Sequence, residues 1–270
     1  MTTTTGATRA TGPLAQASPT DGDGRPPTGT WSAGSLVLGS FAAVSLLTVV
    51  SLGLALPPTV EQHDFARLIA VHPPLAWAAY LSYGVTALAS ALYLVPRTRS
   101  RAWDRLAGAS AEVGVVFTGL TLVTGSIWGR PTWGVWWTWD ARLTLTALMF
   151  FLYLGYLALR RVPGDLHVRS KRAAIAALLA VVVVPVDHFA VEWWRTLHQG
   201  RSLAELTPSR NLDGDYITVM LLGFLAMTLV YAWLVLQRYR IERLVEEVGD
   251  EGLERAIAER RREAVGAEAR

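Results

Sequence analysis

The chain of 270 residues contains no cysteine. That excludes disulfides, thiolate metal sites and the Cys-x-x-Cys-His signature of covalent haem attachment, so any thiol or redox chemistry around it belongs to a partner. Charge is also scarce: 17% of residues are Asp, Glu, Lys or Arg, against 51% hydrophobic. The apolar residues gather into blocks long enough to cross about 30 Å of hydrocarbon at about 1.5 Å per residue. This composition indicates an all-α integral membrane protein. The basic excess is small, a net charge of +3 with pI near 9.4, and it sits in short loops between the apolar blocks. It reads as a topology signal, and no nucleic-acid partner is expected.

Bulky apolar side chains are nearly missing before residue 30, where Thr, Gly, Pro, Ala and Ser dominate. Such a stretch cannot offset the entropy of ordering, and residues 1–33 are expected to form a disordered cytoplasmic tail. No basic n-region precedes a short apolar core there, so the first apolar block is expected to remain as a helix instead of being cleaved as a signal peptide.

Six apolar blocks follow, Ser35 to Leu56, Leu75 to Val95, Leu106 to Ile127, Leu143 to Leu159, Ala173 to Ala190 and Tyr216 to Leu236. An even count puts both termini on one side. The second loop carries Arg97, Arg99, Arg101 and Arg105, and the fourth carries Arg160, Arg161, Arg169, Lys171 and Arg172. Cytoplasmic loops are enriched in such residues, so these two loops and both termini are expected inside. The other three loops, with Arg67, with Arg130 and Arg142, and with Arg195, Arg201 and Arg210, are expected outside. A six-helix membrane domain is thus expected over 34–237. A charged cytoplasmic tail should follow over 238–270, an amphipathic helix interrupted by Gly249 and Gly252.

The run from Trp128 to Asp140, Trp-Gly-Arg-Pro-Thr-Trp-Gly-Val-Trp-Trp-Thr-Trp-Asp, holds five of the 11 tryptophans. It is too short and polar to span a bilayer and too aromatic for an ordinary loop. Tryptophan belts anchor many membrane proteins at the interface, but anchors do not require glycines at set places. The run reads as an outer-face loop over 128–142 that holds something flat. His72 lies just before the second block, followed by Pro73 and Pro74 at a helix start where their missing N–H groups cost little. His198 lies just beyond the fifth block. A lone interfacial histidine is usually solvated, yet both fall on the side of the tryptophan run. Haem is a flat apolar macrocycle with two propionates and an iron that accepts imidazole on each face. A haem site needs aromatic surface, histidines and cations, and Arg67, Arg130, Arg142 and Arg195 are the candidate cations.

Thr124-Gly125-Ser126-Ile127-Trp128-Gly129, Pro131, Trp133-Gly134 and Trp136-Trp137-Thr138-Trp139-Asp140-Ala141-Arg142-Leu143-Thr144 together resemble the WWD domain of haem-handling membrane proteins. The Asp-Ala-Arg-Leu-Thr ending resembles the haem exporter protein C family of cytochrome c maturation system I, CcmC. The Arg67-x4-His72-x-Pro74-x2-Trp77 pattern and the segment Glu192 to Gln199 agree, and the resemblance extends from about Ser35 to Leu236. One departure is Pro73 directly after His72, where a small aliphatic residue is expected.

The resemblance implies haem b as cofactor, with His72 and His198 as axial ligands. It also implies that Trp128, Trp133, Trp136, Trp137, Trp139 and Asp140 contact the porphyrin or the incoming partner, with Arg67 and Arg142 joining the site. The implied function is to hold haem at the outer, periplasmic face of the bacterial inner membrane and deliver it to the haem chaperone CcmE. The ABC transporter components CcmA and CcmB and the small membrane protein CcmD are the further implied partners. Two other readings stand beside this one. A WWD-type cytochrome c haem synthase would carry more spans and more outer histidines, and a haem transporter would show a polar path or helix breaks at the midplane.

The remaining titratable groups have plainer readings. His63, near Glu61 and Asp64, and His167, on a cytoplasmic loop, are read as surface residues. His188 beside Asp187 is read as a satisfied interfacial pair, or else as part of a haem path. Glu112, inside the third block, is costly to bury charged and is expected to pair or snorkel.

Overall fold

The computed structural model describes residues 32–60, 62–198 and 214–268. The expected N-terminal tail lies almost wholly outside these residues, as do Arg201 and Arg210. Among the described residues seven α-helices are formed: α1 (Ala33–Ala55), α2 (His72–Leu94), α3 (Arg101–Trp133), α4 (Ala141–Arg161), α5 (Leu166–Ala180), α6 (Val183–Trp193) and α7 (Gly214–Glu268). A short 3-10 helix over Asp64–Ala70 precedes α2. Helices α5 and α6 share one span, so six helical spans are long and apolar enough to cross a membrane. The protein is an all-α multi-pass membrane protein.

Helix α1 is apolar all round, which suits lipid exposure. Its buried residues Ser35, Ala42 and Val49 recur every seven positions, with Gly53 beyond, the spacing of a helix-helix seam. That seam faces α7. Gln237 Nε2 donates to Ser35 Oγ at 2.6 Å, and Gly39 lies so close to Trp233 that a Cβ there would come within 2.6 Å of the indole nitrogen. Leu36, Phe41, Val44 and Leu47 on α1 are exposed and form its lipid-facing surface.

The centre of the bundle is the α2–α3 pair. In lipid, helices gain little from burying apolar surface against each other and associate through small residues and polar contacts. Ala78, Ala79, Ser82 and Thr86 on α2 meet Ala107, Ala111, Gly114 and Thr118 on α3, all buried. A Cβ on Gly114 would sit 2.9 Å from the Ser82 Cβ, so glycine sets the crossing distance. Ser110 Oγ donates to the Ser82 carbonyl at 2.7 Å and lies 2.8 Å from Tyr231 Oη, while Tyr83 bonds to Thr118. Tyr153, Met149, Phe117 and Met227 complete this core.

Three elements differ from the sequence reading. Helix α3 does not stop at Ile127 but continues to Trp133, so only residues 134–140 of the expected 128–142 loop are irregular. Gly134 ends it in the left-handed conformation at φ 79°, its N–H bonded to the Arg130 carbonyl, as glycine at a helix C-terminus does. The fifth span breaks at Val181 and Val182. Pro185 explains the break, since it lacks an N–H and its ring crowds the carbonyl four residues earlier. Finally, helix α7 runs through Gly249 and Gly252 without the expected interruption, and contacts with the rest of the bundle reach along it as far as Asp250.

Those contacts form an antiparallel charged ladder between the start of α3 and the far part of α7. Glu112 pairs with Arg238, Arg105 with Glu246 at 2.7 Å, and Arg101 with Asp250 at 3.7 Å. Glu112 therefore pairs, as expected. Asp104 and Arg160 add a bidentate pair at 2.8 and 3.2 Å between α3 and α4.

Candidate functional site

The opposite end of the bundle gathers the tryptophan run. His72 is the first residue of α2, not a loop residue as expected, and Pro73 and Pro74 lie in the first turn where α2 needs no N–H donors. The imidazole lies across α3. Its Nδ1 is 3.0 Å from Thr124 Oγ1, and the ring meets Trp128 edge-on with centroids 5.8 Å apart. Gly125 provides the room, since a Cβ there would come within 2.9 Å of His72 Cε1.

His198 follows α6, with its ring 6.2 Å from that of Trp133. Asp140 fixes this segment. One carboxylate oxygen accepts from Leu143 N–H at 2.9 Å and caps α4, while the other accepts from Leu197 N–H at 3.0 Å. Asp140 is thus a tie between the tryptophan turn and the residue next to His198. The two histidines thus come from distant segments to the same end of α3, His72 on Trp128 and His198 on Trp133.

The tryptophans divide by role. Trp128 donates from Nε1 to Gln62 Oε1 at 3.0 Å and belongs to the protein's interior packing. Trp136 and Trp139 are 58% and 79% exposed, far more than packing alone would leave. Trp137 stacks edge-on to Trp139 with centroids 5.5 Å apart, and its buried Nε1 has no hydrogen-bond partner among the described residues. Trp136 and Trp137 border a shallow groove with Leu122, Val123, Ser126 and Ile127. Exposed Trp193, Trp194 and Leu197 extend the apolar surface.

The four candidate arginines are placed differently. Arg67 donates through Nε to the Leu56 carbonyl at 2.8 Å and pairs with Asp64 at 2.9 Å, bracing the 3-10 helix. Arg142 donates to Tyr80 Oη and to the His188 carbonyl, each at 3.2 Å, and faces Asp187 at 3.9 Å. Arg130 holds the Gly134 carbonyl at 2.6 Å, and Arg195 is exposed on the segment that follows α6.

Asp187, which the sequence reading placed with His188, has further partners beyond that pair. It is 1% exposed and accepts from Tyr80 at 2.5 Å and from Thr146 at 3.1 Å, so it anchors Arg142 through the same Tyr80. Its sequence signal was an acid at the end of an apolar span, which is expensive unless partnered. His188 packs edge-on to Tyr80 and Phe189. His63 is exposed at the isolated Thr59–His63 bridge, and His167 Nδ1 lies 3.2 Å from Tyr93 Oη.

Comparison with known proteins adds an independent line. Residues 26–253 match the family described as CcmC, heme exporter protein C. The chain is 40% identical over 210 residues to heme exporter protein C of Haemophilus influenzae, covering 75% of this chain and 84% of that one. It is 34% identical over 210 residues to heme exporter protein C of Escherichia coli K12, covering 78% and 83%. It is 36% identical over 181 residues to a putative cytochrome c biosynthesis ccmC-like mitochondrial protein of Arabidopsis thaliana, covering 67% of each.

Proposed function

The chain belongs to the heme exporter protein C family, and from that membership and the geometry above we propose that it handles haem in cytochrome c maturation. It holds haem b at the outer face of the bacterial inner membrane and delivers it to the haem chaperone CcmE. The observation that carries this reading is that His72 packs on Trp128 and His198 on Trp133 at the same end of α3, with Trp136 and Trp139 exposed on the turn that follows. The residues suit the group: two imidazoles can bind iron from opposite faces, indole surfaces can pack a porphyrin, and the Trp137 N–H is a buried donor in need of an acceptor.

In this reading haem supplies an iron that takes an imidazole on each face and a vinyl group for attachment to the chaperone. The chain's own residues position and shield. His72 and His198 are the axial ligands. Trp128 and Trp133 hold the two imidazole rings, while Trp136, Trp137 and Trp139 pack the macrocycle or meet the chaperone. Arg142 brings positive charge to the propionates, with Arg67 bracing the wall that leads into His72. Orientation, not a protein nucleophile, is the catalytic contribution. Both termini lie in the cytoplasm, consistent with the arginines at the far end of the bundle, and CcmA, CcmB and CcmD act after loading.

The break at Val181–Val182 favours a haem transporter, since broken helices mark transport sites. The residues next to it in sequence, Leu178, Leu179, Val183 and Val184, are apolar, which favours recruitment from the outer side.

The test is an absorption spectrum of the detergent-purified protein co-expressed with the haem chaperone. A six-coordinate haem spectrum is the expected result. Loaded chaperone with no haem on this chain would replace delivery with a scaffold role. Asp140→Ala separates site from fold: losing the α4 cap costs about 1 kcal/mol, which a six-span protein tolerates. The variant is expected in the membrane at wild-type level, with chaperone loading reduced several-fold. Loss of the protein from the membrane would make Asp140 purely structural.

A further inference from the structure

Thr124 stands one turn before Trp128 on α3 and faces His72. A threonine hydroxyl carries one proton, and here its destination is fixed by its neighbours. Oγ1 lies 2.8 Å from the Leu120 carbonyl oxygen and 3.3 Å from that of Thr121. Carbonyl oxygens only accept, and the Leu120 carbonyl is nearer to Oγ1 than the imidazole nitrogen is, so the geometry directs the hydroxyl proton to that carbonyl. What remains on Oγ1 for His72 is a lone pair. The contact of 3.0 Å between Oγ1 and His72 Nδ1 is therefore Nδ1–H donating to Oγ1. A neutral imidazole carries one N–H, which leaves Nε2 with an unprotonated lone pair.

The ring has little freedom to escape this arrangement. Gly125 lies under Cε1 at a distance that even one methyl group would obstruct, and Trp128 closes another side edge-on. His72 also sits in the first turn of α2, ahead of two prolines with fixed backbone angles. The neighbouring Thr124 and Gly125 thus have separate tasks, one supplying the acceptor and the other the space.

We propose that Thr124 is a positioning residue that selects the Nδ1–H tautomer of His72 and so presents Nε2 to the haem iron. This rests on the reading of His72 as an axial ligand. Coordination then forms the iron–Nε2 bond with no proton to remove from that nitrogen, and the Nδ1–H remains on Thr124. Hydrogen bonds of this kind to the second nitrogen of a ligating histidine fix its tautomer and orientation and strengthen it as a ligand.

The experiment compares wild type, Thr124→Val, which keeps the shape without the hydroxyl, and Thr124→Ser, which keeps the hydroxyl. Each full-length protein is labelled with ring-15N histidine in detergent without haem, and the His72 signals are identified by their loss in His72→Gln. Nitrogen shifts report directly which ring nitrogen is protonated, and haem titration reports affinity. The expected result is Nδ1–H at His72 in wild type and in Thr124→Ser, a mixture of tautomers in Thr124→Val, and haem affinity lower by about tenfold in Thr124→Val only. Nε2–H in wild type, or an unchanged tautomer in Thr124→Val, overturns the proposal. If the tautomer responds as expected while neither Thr124→Val nor His72→Ala changes haem affinity, the ligand reading of His72 fails and the tautomer assignment stands.

Discussion

Replacing either His72 or His198 by alanine is expected to lower haem retention by at least about 10–100-fold, the loss that removing even an outer hydrogen-bond partner causes at metal sites. The two losses should differ in kind. His72 is fixed by α2, by Gly125 and by Trp128, so in His198→Ala it still offers one well-placed ligand. The purified variant should retain some haem, with a spectrum altered from the six-coordinate type. His198 hangs on a segment tied through Leu197 to Asp140, and in His72→Ala it must hold haem from a less rigid support. Retention should fall further there. Haem per protein, read from absorption after purification, checks both statements, and unchanged haem content in both variants would defeat the ligand assignment.

The second large effect concerns stability at the other end of the bundle. Asp104 and Arg160 make a bidentate pair with side chains 10% and 16% exposed, and Gly108 lies against the guanidinium. Asp104→Ala leaves the Arg160 guanidinium with Tyr156 Oη at 3.4 Å as its hydrogen-bond partner. Breaking such a pair from one side is expected to cost about 3 kcal/mol. Removing both charges with Asp104→Ala and Arg160→Met should recover most of that loss, because no uncompensated charge is left. Unfolding in mixed detergent micelles measures the cycle. A double variant no better than Asp104→Ala would show that the pair's value lies in packing instead of charge compensation.

What the sequence reveals here depends on whether a feature is local. Apolar length alone marks the six spans, and the tryptophan run with its flanking histidines marks the candidate site. The end of α3 was misplaced because Trp128 to Trp133 mixes helix-compatible residues with Gly129 and Pro131. Only the capping geometry at Gly134 decides where the helix stops. Pro185 was visible, but a break four residues earlier depends on where its ring meets the preceding turn. The bracing of α7 as far as Asp250 comes from pairing with Arg101 and Arg105, more than a hundred residues distant in the chain. Asp187 and Thr124 escaped for the same reason: their meaning lies in Tyr80, Arg142 and His72, which only the packed bundle brings near.

The double grip of Asp140 also has a consequence in time. Translation delivers His72, Thr124 and the tryptophan turn first, while Leu197 follows 57 residues after Asp140. At synthesis rates of about 5–20 residues per second, that delay is roughly 3–11 s. During it Asp140 can cap α4 but has nothing for its second oxygen to hold. The site closes only when the fifth span has been inserted, so a nascent or truncated chain presents one imidazole and never the pair. Completion of the bundle is thereby built into readiness for cargo.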